Sequence, residues 1–365
     1  MSETSQVGSI AFFNLQDTST GSQFIFVLNS ELNAAFTNPD ALLKTLSHSF
    51  ISFNTTLDFS QLSGGIPVTN LPRSRFVEED YLIERRDIEK RYDLGVGDDV
   101  AYVFGGNDTV YGRAGDDRIV ALSGSGNGLS GGNGADIIKF KGTANGWANG
   151  GDGVDRVIGN DQDNELGGGV GADVVIGLGG DDHMTGGFGD DFVYGGRGDD
   201  RISGDEDPVY GFLEQHGNDV IHGNRGADMI WGNGGSDRLF GGANNDELMG
   251  GTGVDYLLGG NGDDILDGGF GDDHLTGGQG RDVFIYVYNS NQPLEESYGY
   301  DRVRDFEFGL DIIEFHGMGS LDFEAVMSYA AQTSHGVRFK FEAGSVLFIN
   351  DAVLTDFSEA DFGFA

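Results

Sequence analysis

Apolar and polar positions alternate with a nine-residue period through the middle of the chain. Between residues 173 and 284 an aspartate recurs every nine residues, and a large apolar residue follows it two places later, as Leu257 follows Asp255. One step is longer, because nineteen residues separate Asp200 from Asp219. A fixed period of this length indicates a repeat architecture in which each unit packs against its neighbours.

We number the positions of a unit from the residue five places before the aspartate, so that Gly250 is the first position and Asp255 the sixth. The pattern of each unit predicts a glycine-rich turn followed by one short β-strand. The seventh to ninth positions alternate, so that only the eighth side chain points inward. Glycines at the first, second and fourth positions permit positive φ and leave the backbone carbonyls unshielded. Two units then make one eighteen-residue turn of a flattened coil. The sequence therefore predicts a predominantly all-β chain, a parallel β-roll with a small α+β cap at the N-terminus and an antiparallel β cap at the C-terminus.

Glycine content divides the chain into three predicted domains. They are an N-terminal domain of unknown function, 1–92, which ends in a charge-mixed connector, 73–92; the roll, 93–286; and the C-terminal cap, 287–365. Within the roll, 173–286 is regular and 93–172 is a degenerate copy. In the degenerate block, Gly126, Asn145 and Asn164 fall near places where acids are expected, so ion sites there are predicted to be weak or missing.

Outside the regular repeats the pattern predicts further elements. The predicted strands are Ile10–Leu15, Phe24–Leu28, Val283–Tyr288, Arg302–Phe308, Asp311–Phe315, Val337–Phe341 and Val346–Ile349, the last five being antiparallel. A helix is predicted over Pro39–Phe53, because its leucines share one face. The long step at Gly204–Gln215 is interpreted as a bulge one residue longer than a repeat.

Composition and charge narrow the choice of partners. The chain has 60 acidic and 21 basic residues, a formal charge of −39 and no cysteine. Such a balance argues against nucleic acid and anionic membranes and favours cations. No apolar run is long enough to cross a membrane, and the N-terminus lacks the positive and apolar regions of a secretory signal.

The turns carry the candidate chemistry. Carbonyl oxygens and an aspartate carboxylate can surround a hard cation, and a shell of many oxygen ligands suits Ca²⁺ better than zinc or copper. Acids eighteen residues apart, such as Asp246 and Asp264, stack on one edge and can share an ion. Without a cation these stacked carboxylates repel one another, so the metal-free coil is not expected to fold.

The middle block resembles the RTX (repeats-in-toxin), hemolysin-type calcium-binding repeats of proteins secreted by Gram-negative bacteria. The resemblance implies several Ca²⁺ ions, each held by the aspartates of two units that lie two apart. It adds carbonyls at positions two and four of the first unit and at positions one and three of the later unit. The carried-over sites are Gly169, Gly171 and Asp173 with Gly186, Phe188 and Asp191; Gly180 and Asp182 with Gly195, Arg197 and Asp200; Gly242, Asn244 and Asp246 with Gly259, Asn261 and Asp264; Gly251, Gly253 and Asp255 with Gly268, Phe270 and Asp273; and Gly260, Gly262 and Asp264 with Gly277, Gln279 and Asp282. The other predicted ligands are Asp108, Asp117, Asp136, Asp155, Asp219, Asp228 and Asp237.

The C-terminal region is similar to that of serralysin-type proteins exported by the type I pathway. The similarity rests on Asp301–Phe306, Asp311–Ile313 and the last five residues, 361–365. It implies an uncleaved signal read by an ABC exporter and an extracellular location, either free or associated with the cell surface, whereas the alternative is a purely structural cap. The predicted function is a secreted calcium-binding protein that folds on extracellular Ca²⁺ and interacts with a cell surface, a polysaccharide or a host protein.

Two other classes of function stay open from the sequence. An enzyme would need a catalytic site in the N-terminal domain, and the chain has neither a His-Glu-x-x-His motif nor a Gly-x-Ser-x-Gly motif. His48, flanked by two serines, is interpreted as a surface residue. A membrane-active toxin or bacteriocin would need long apolar segments upstream of the repeats, and none is present. Because both catalytic motifs are absent, we expect no enzymatic activity.

Overall fold

The computed structural model describes residues 11–16, 23–28, 81–83, 91–205, 216–287, 299–317, 322–341 and 345–364. These residues form two compact units, one up to Asn160 and the other from Asp161 onward. In the described residues no helix is long and apolar enough to cross a membrane. The predicted helix Pro39–Phe53 and His48 lie outside the described residues.

The first unit contains a hairpin and two parallel sheets. Its strands are β1 (Ala11–Gln16), β2 (Gln23–Leu28), β3 (Tyr81–Ile83), β4 (Arg91–Val96), β5 (Val100–Phe104), β6 (Thr109–Ala114), β7 (Arg118–Ser123), β8 (Asn127–Asn133), β9 (Ile137–Phe140), β10 (Gly146–Asp152) and β11 (Arg156–Ile158). Strands β1 and β2 pair antiparallel, and they confirm the two N-terminal strands within one residue at each end. Strands β4, β6, β8 and β10 form one parallel sheet and β3, β5, β7, β9 and β11 the other.

The second unit also has two sheets, which we call sheet 1 and sheet 2. Sheet 1 contains β12 (Asn164–Val170), β14 (His183–Phe188), β16 (Arg201–Ser203), β18 (Met229–Gly234), β20 (Glu247–Thr252), β22 (Ile265–Phe270), β24 (Val283–Val287), β26 (Ile312–His316) and β30 (Phe362–Phe364). Sheet 2 contains β13 (Val174–Ile176), β15 (Phe192–Arg197), β17 (Val220–Arg225), β19 (Arg238–Ala243), β21 (Tyr256–Asn261), β23 (His274–Gln279), β25 (Tyr300–Val303), β29 (Val346–Asn350), β28 (Gly336–Lys340) and β27 (Ala330–Thr333). Outside the sheets lie α1 (Phe323–Met327) and two 3₁₀ turns, Leu354–Asp356 and Glu359–Asp361.

Successive strands alternate between the two sheets, and each strand pairs in parallel with the strand one turn later. In sheet 2, Leu239 lies opposite Leu257, eighteen residues on. The eighth-position side chains fill the space inside the coil, and Ile221, Ile230 and Leu248 are fully buried. A single inward residue per strand suffices, because the flattened coil leaves only a thin core. The predicted parallel β-roll is confirmed.

The C-terminal strands differ from the antiparallel set predicted from the sequence. Strands β24, β25 and β26 continue the parallel sheets, and β29 and β30 also pair in parallel, with β25 and β26 respectively. Only β27, β28 and β29 are joined by antiparallel pairing. Alternating apolar residues identify a strand but not its direction, so the sequence pattern could not distinguish the two cases.

One further interpretation needs correction, and another agrees with the structure. The segment 73–92, interpreted as a connector, includes β3 and the start of β4, and both strands pair in parallel with roll strands. The long step at Gly204–Gln215 agrees with its interpretation as a bulge one residue longer than a repeat. Ile202 lies opposite Met184, eighteen residues earlier, and opposite Ile230, twenty-eight residues later. Ten additional residues, 206–215, are therefore inserted into a single turn.

Candidate metal centres

Glycine shapes the second half of most roll strands and the turn that follows it, because these strands continue past the predicted seventh to ninth positions into the third position of the next unit, as β20 does. In the unit that begins at Gly250, Gly251 has φ +109° and Gly253 has φ +134°, a region that other residues adopt only with strain. Their carbonyl oxygens point at Gly269 and Gly271 one turn later, at the places where a Cβ would stand. The missing side chains thus leave a gap between consecutive turns, lined by backbone oxygen.

The aspartates of successive turns form two ladders along the roll. In each rung the backbone N–H of one aspartate donates to Oδ1 of the aspartate one turn later, as Asp255 N does to Asp273 at 2.9 Å and Asp246 N to Asp264 at 2.8 Å. In the second unit, ladder A contains Asp173, Asp191, Asp219, Asp237, Asp255, Asp273 and Asp301. Ladder B contains Asn164, Asp182, Asp200, Asp228, Asp246, Asp264, Asp282 and Asp311.

The second carboxylate oxygen of most ladder aspartates has no protein partner. Oδ2 is buried without a hydrogen bond in Asp117, Asp136, Asp182, Asp191, Asp200, Asp219, Asp228, Asp237, Asp246, Asp255, Asp264, Asp273 and Asp282. An orphaned buried oxygen is costly, and one on an ionised group is more so. A repeated set of such oxygens, all facing the same gap, fits a row of bound cations.

Backbone carbonyls complete the donor set at each rung. A Cβ built on Gly250 would lie 2.5 Å from both Asp255 Oδ2 and Gly268 O, so these two oxygens converge on one point. The same convergence joins Oδ2 with a first-position carbonyl at the other four carried-over sites: Asp173 with Gly186, Asp182 with Gly195, Asp246 with Gly259, and Asp264 with Gly277. Donors that are all oxygen are those that Ca²⁺ prefers.

The other carbonyls of the carried-over sites lie in the same turns. Those at the second and fourth positions, Gly169, Gly171, Gly180, Gly242, Asn244, Gly251, Gly253, Gly260 and Gly262, face the equivalent glycine one turn later. Third-position carbonyls already accept one hydrogen bond, as Phe270 O does from Gly253 N at 2.8 Å; Phe188, Asn261 and Gln279 accept equivalent bonds. A carbonyl oxygen has two lone pairs, so accepting one hydrogen bond does not by itself prevent it from coordinating a cation.

Burial alters the titration of the ladders. It raises the pKa of Asp191, Asp200 and Asp237 to about 8, and nearby aspartates add to the increase, while the hydrogen bond from the preceding turn opposes it. Burial likewise raises the pKa of Asp255 and Asp264 to about 6. Without a cation, the ionised form is therefore disfavoured along both ladders. Among the described residues no three His, Cys, Asp or Glu side chains converge on one point, so a centre here depends on backbone oxygen.

The first unit has one continuous ladder and one interrupted ladder. Asp99, Asp117, Asp136 and Asp155 are linked by the same backbone-to-Oδ1 bonds. On the other edge, Asp108 N donates to Asn127 Oδ1, and Gly146 lies opposite Asn127. The ladder positions without a carboxylate are thus Asn127 and Gly146, each one residue after Gly126 and Asn145, which the sequence placed near the missing acids. The steps of nineteen residues between these turns obscured the register in the sequence.

Asp99, at the start of the continuous ladder, and three residues of ladders A and B were not predicted as ligands. Asn164 in ladder B was recognised only as a position without a carboxylate, and it donates its N–H to Asp182 Oδ1. Asp301 and Asp311 end the two ladders and are buried. Each is followed two places later by an apolar residue, Val303 or Ile313, which is the spacing of the repeats. That spacing, together with the fourth-position glycines Gly299 and Gly309, could have identified both, although the first- and second-position glycines are absent.

The inserted segment interrupts one turn without breaking the ladders. Asp191 N and Asp200 N still donate to Asp219 and Asp228, each twenty-eight residues later. Asp205, immediately before the insertion, accepts N–H groups from Gly217 and Gly234, both at 3.1 Å. Its carboxylate thereby holds the two sides of the interrupted turn together.

Comparison with known proteins agrees with this geometry. A family model for the RTX calcium-binding nonapeptide repeat (4 copies) matches residues 94–127, 142–175, 149–184, 176–207, 217–248 and 249–284. No curated protein sequence matches the chain significantly. Among solved structures, the extracellular lipase LipA from Serratia marcescens is similar at 16% identity and a TM-score of 0.22, over 63% of this chain and 45% of the lipase. The chain thus spans less than half of that lipase. The matched repeats, with the paired turns and oxygen-lined gaps of the roll, show that the chain belongs to the RTX, or hemolysin-type, calcium-binding repeat proteins.

Proposed function

We propose that this chain is a secreted calcium-binding protein that folds on extracellular Ca²⁺ and then acts as an interaction protein. The observation that carries the proposal is the row of buried Oδ2 atoms without a protein partner along both ladders. When bound, Ca²⁺ supplies positive charge between stacked carboxylates. The ladder aspartates and the first-position carbonyls, such as Asp255 and Gly268, would hold it.

Folding is coupled to location by the calcium concentration. Extracellular calcium modules typically bind at about 0.1–1 mM, far above the level inside cells. A chain whose folded state needs such sites to be filled stays unfolded in the cytosol, because binding energy is then folding energy. An unfolded chain is also the form that a narrow exporter channel can pass.

We assign the export signal to residues 287–365, to be read by a type I ABC exporter. Asp301–Phe306 and Asp311–Ile313 support the assignment by their similarity to exported proteins. The same region has a structural task, because β29 and β30 cover the last turn of the roll in sheet 2 and sheet 1. Phe308, Phe357 and their neighbours form an aromatic cluster there, with ring centres 4.9 Å apart in that pair.

Once folded, the protein is proposed to work by binding rather than by catalysis. An adhesive, matrix-associated or host-directed role fits a rigid roll with long exposed sheet faces. A liposome-leakage assay separates this role from a membrane-active toxin. Leakage at calcium concentrations that fold the chain would contradict it.

The calcium step is tested by circular dichroism of the full chain. In excess EDTA we expect a largely disordered spectrum, which becomes β-rich with millimolar Ca²⁺ and much less so with Mg²⁺, because Mg²⁺ demands a smaller octahedral shell. A β-rich spectrum in EDTA at neutral pH would contradict the proposal.

The export step is tested by fusing residues 287–365 behind a slow-folding passenger. Because deletion of this region also removes strands of the roll, deletion alone would confuse folding with export. The fusion should reach the medium only in cells that carry a compatible ABC exporter. Retention of the passenger in those cells would show that the region is only a cap.

A further inference from the structure

Sheet 2 of the second unit has an outer face without acidic side chains. The seventh and ninth positions of its six strands from β15 to β25 point outward, and none of these twelve residues is acidic. Three of them are arginines, Arg238, Arg302 and Arg304, and two are histidines, His222 and His274. Burial lowers the pKa of both histidines, so the positive charge of this face comes from the arginines. This composition is unexpected in a chain with 60 acidic and 21 basic residues.

The outer face of sheet 1 provides an internal comparison. At the equivalent outward positions, its strands carry Glu247, Asp267 and Glu314. The absence of acids is thus a property of one face and not of the repeat. A cationic face on a protein of charge −39 is complementary to an anionic partner that the rest of the surface repels.

Aromatic rings hold the cationic groups of this face in place. The guanidinium carbons of Arg238 and Arg304 lie 5.6 Å and 5.8 Å from the centre of the Tyr256 ring, and the His274 ring is 4.7 Å from it. His222 stacks on Phe240 with ring centres 4.4 Å apart. A guanidinium packed on a ring keeps its N–H donors available in its own plane, where they match a carboxylate.

The arginines of this face are not neutralised by the protein. In the described part of the chain, Arg238, Arg302 and Arg304 form no ion pair with a carboxylate. Arg238 and Arg304 are exposed, and they reach the Tyr256 ring from β19 and from the end of β25, on its two sides along the roll. Cations spaced along one axis fit an extended anionic chain better than a small ion.

Apolar side chains beside the cations restrict the chemistry of that partner. Phe192, Tyr256 and Leu258 are 46%, 39% and 38% exposed. A sugar ring offers both an apolar C–H face for such side chains and, in a uronic acid, one carboxylate for an arginine. Binding of a nucleic acid depends mainly on neutralising its phosphates over a basic surface, which a protein of charge −39 does not offer beyond this face.

We infer that the outer face of sheet 2 binds an acidic polysaccharide made of uronic-acid residues. The inference rests on the proposed function, because it names the partner with which the secreted, calcium-folded roll interacts. Arg238 and Arg304 bind carboxylates of the polymer, and Tyr256 between them fixes their guanidinium groups and packs against a sugar ring.

The test uses the calcium-loaded full chain and short oligogalacturonates, which are too short to form calcium gels. Calorimetry should detect binding of the oligogalacturonate and none of neutral dextran. Arg238→Glu and Arg304→Glu should each weaken binding by about tenfold or more, because each loses a charge-assisted hydrogen bond and adds repulsion. Arg201→Glu is the matched control, because Arg201 is exposed at the seventh position of β16, on sheet 1.

Each outcome of this test decides the inference. Equal weakening by Arg201→Glu would show that binding reflects overall charge and would overturn it, as would equal binding of dextran. Tighter binding of single-stranded DNA than of oligogalacturonate would replace the polysaccharide with nucleic acid. If the glutamate variants do not fold, Arg238→Gln and Arg304→Gln take their place, since glutamine keeps much of the aliphatic stem. Circular dichroism in Ca²⁺ separates the proposal of calcium-induced folding from the proposal of polysaccharide binding. A chain that does not fold in Ca²⁺ contradicts the first proposal. A chain that folds in Ca²⁺ but does not bind oligogalacturonate overturns only the second.

Discussion

Asp255→Asn should have opposite effects on the metal-free and calcium-bound forms of the roll. Asp255 is fully buried, its Oδ1 accepts the N–H of Asp237 at 2.8 Å and its Oδ2 has no partner. Burial raises its pKa from 3.8 to about 6, although the bond from Asp237 lowers it. One pKa unit corresponds to about 1.4 kcal/mol, so ionised Asp255 destabilises the metal-free fold by about 3 kcal/mol at pH 7.5. Asparagine keeps the Oδ1 acceptor and removes this cost.

With calcium the sign reverses, because asparagine also removes a charged ligand. We expect the calcium concentration at the folding midpoint to rise about tenfold, the effect of losing roughly one charged contact. The metal-free arm is measured in EDTA as the concentration of trimethylamine N-oxide that induces β structure, since this osmolyte favours burial. That concentration should fall for Asp255→Asn.

The matched control is Asp263→Asn, at an exposed turn position whose Oδ1 accepts the N–H of Arg281. Asparagine preserves this acceptor as well, and neither midpoint should change appreciably. The reasoning would be refuted if Asp255→Asn needed more osmolyte than the natural sequence. An unchanged calcium midpoint would equally show that Oδ2 of Asp255 does not face a bound ion.

Three further predictions concern the turns, the core and the pH dependence. Gly253→Ala should raise the calcium concentration at the folding midpoint more than Gly95→Ala does. Both glycines have positive φ, which costs an alanine about 1–2 kcal/mol. Only at Gly253 would the new Cβ overlap a backbone oxygen, that of Gly235. Ile230→Ala, in the core, should cost about 2–5 kcal/mol by urea unfolding in Ca²⁺, whereas Ile265→Ala, 37% exposed, should cost much less. Burial raises the pKa of the ladder carboxyls from 3.8 in the unfolded chain to about 6–8 in the folded chain. The protonated carboxyls therefore stabilise the metal-free fold fully below pH 3.8, and this stabilisation is lost as the pH rises through 6–8. In EDTA, β structure should therefore increase between pH 8.5 and pH 5, whereas with limiting Ca²⁺ acidification should reduce it, because protons compete for the ligands.

The sequence predicted the roll because one constraint repeats at every turn. Leu248, Leu257 and Leu266 are at most 2% exposed, as their eighth positions require. Because the apolar residue always follows the aspartate by two places, every unit puts its apolar side chain in the thin core and its aspartate in the turn. Period and register therefore determine strand position, inward face and pairing partner together. The five carried-over pairs of aspartates are neighbours in the ladders for the same reason.

Irregular steps could not be interpreted from spacing alone. A step of nineteen residues between Asp200 and Asp219 equals two units and one residue, or one unit and ten residues. Only strand alternation between the sheets shows that the second division is correct, because β16 lies in sheet 1 and β17 in sheet 2. In the degenerate block, steps of nineteen shift the register by one residue, which is enough to confuse Gly126 with Asn127.

The ladders have a direction, and it makes the last repeats depend on the C-terminal region. Each aspartate N–H is satisfied by the carboxylate of the following turn, so every turn depends on the turn after it. The last repeats have no following repeat, and Asp273 N and Asp282 N donate instead to Asp301 and Asp311. A buried N–H without an acceptor is destabilising, so a chain that ended with the last repeat would leave both ladders incomplete. Asp301 and Asp311 therefore terminate the repeat structurally, while the residues around them carry the proposed export signal.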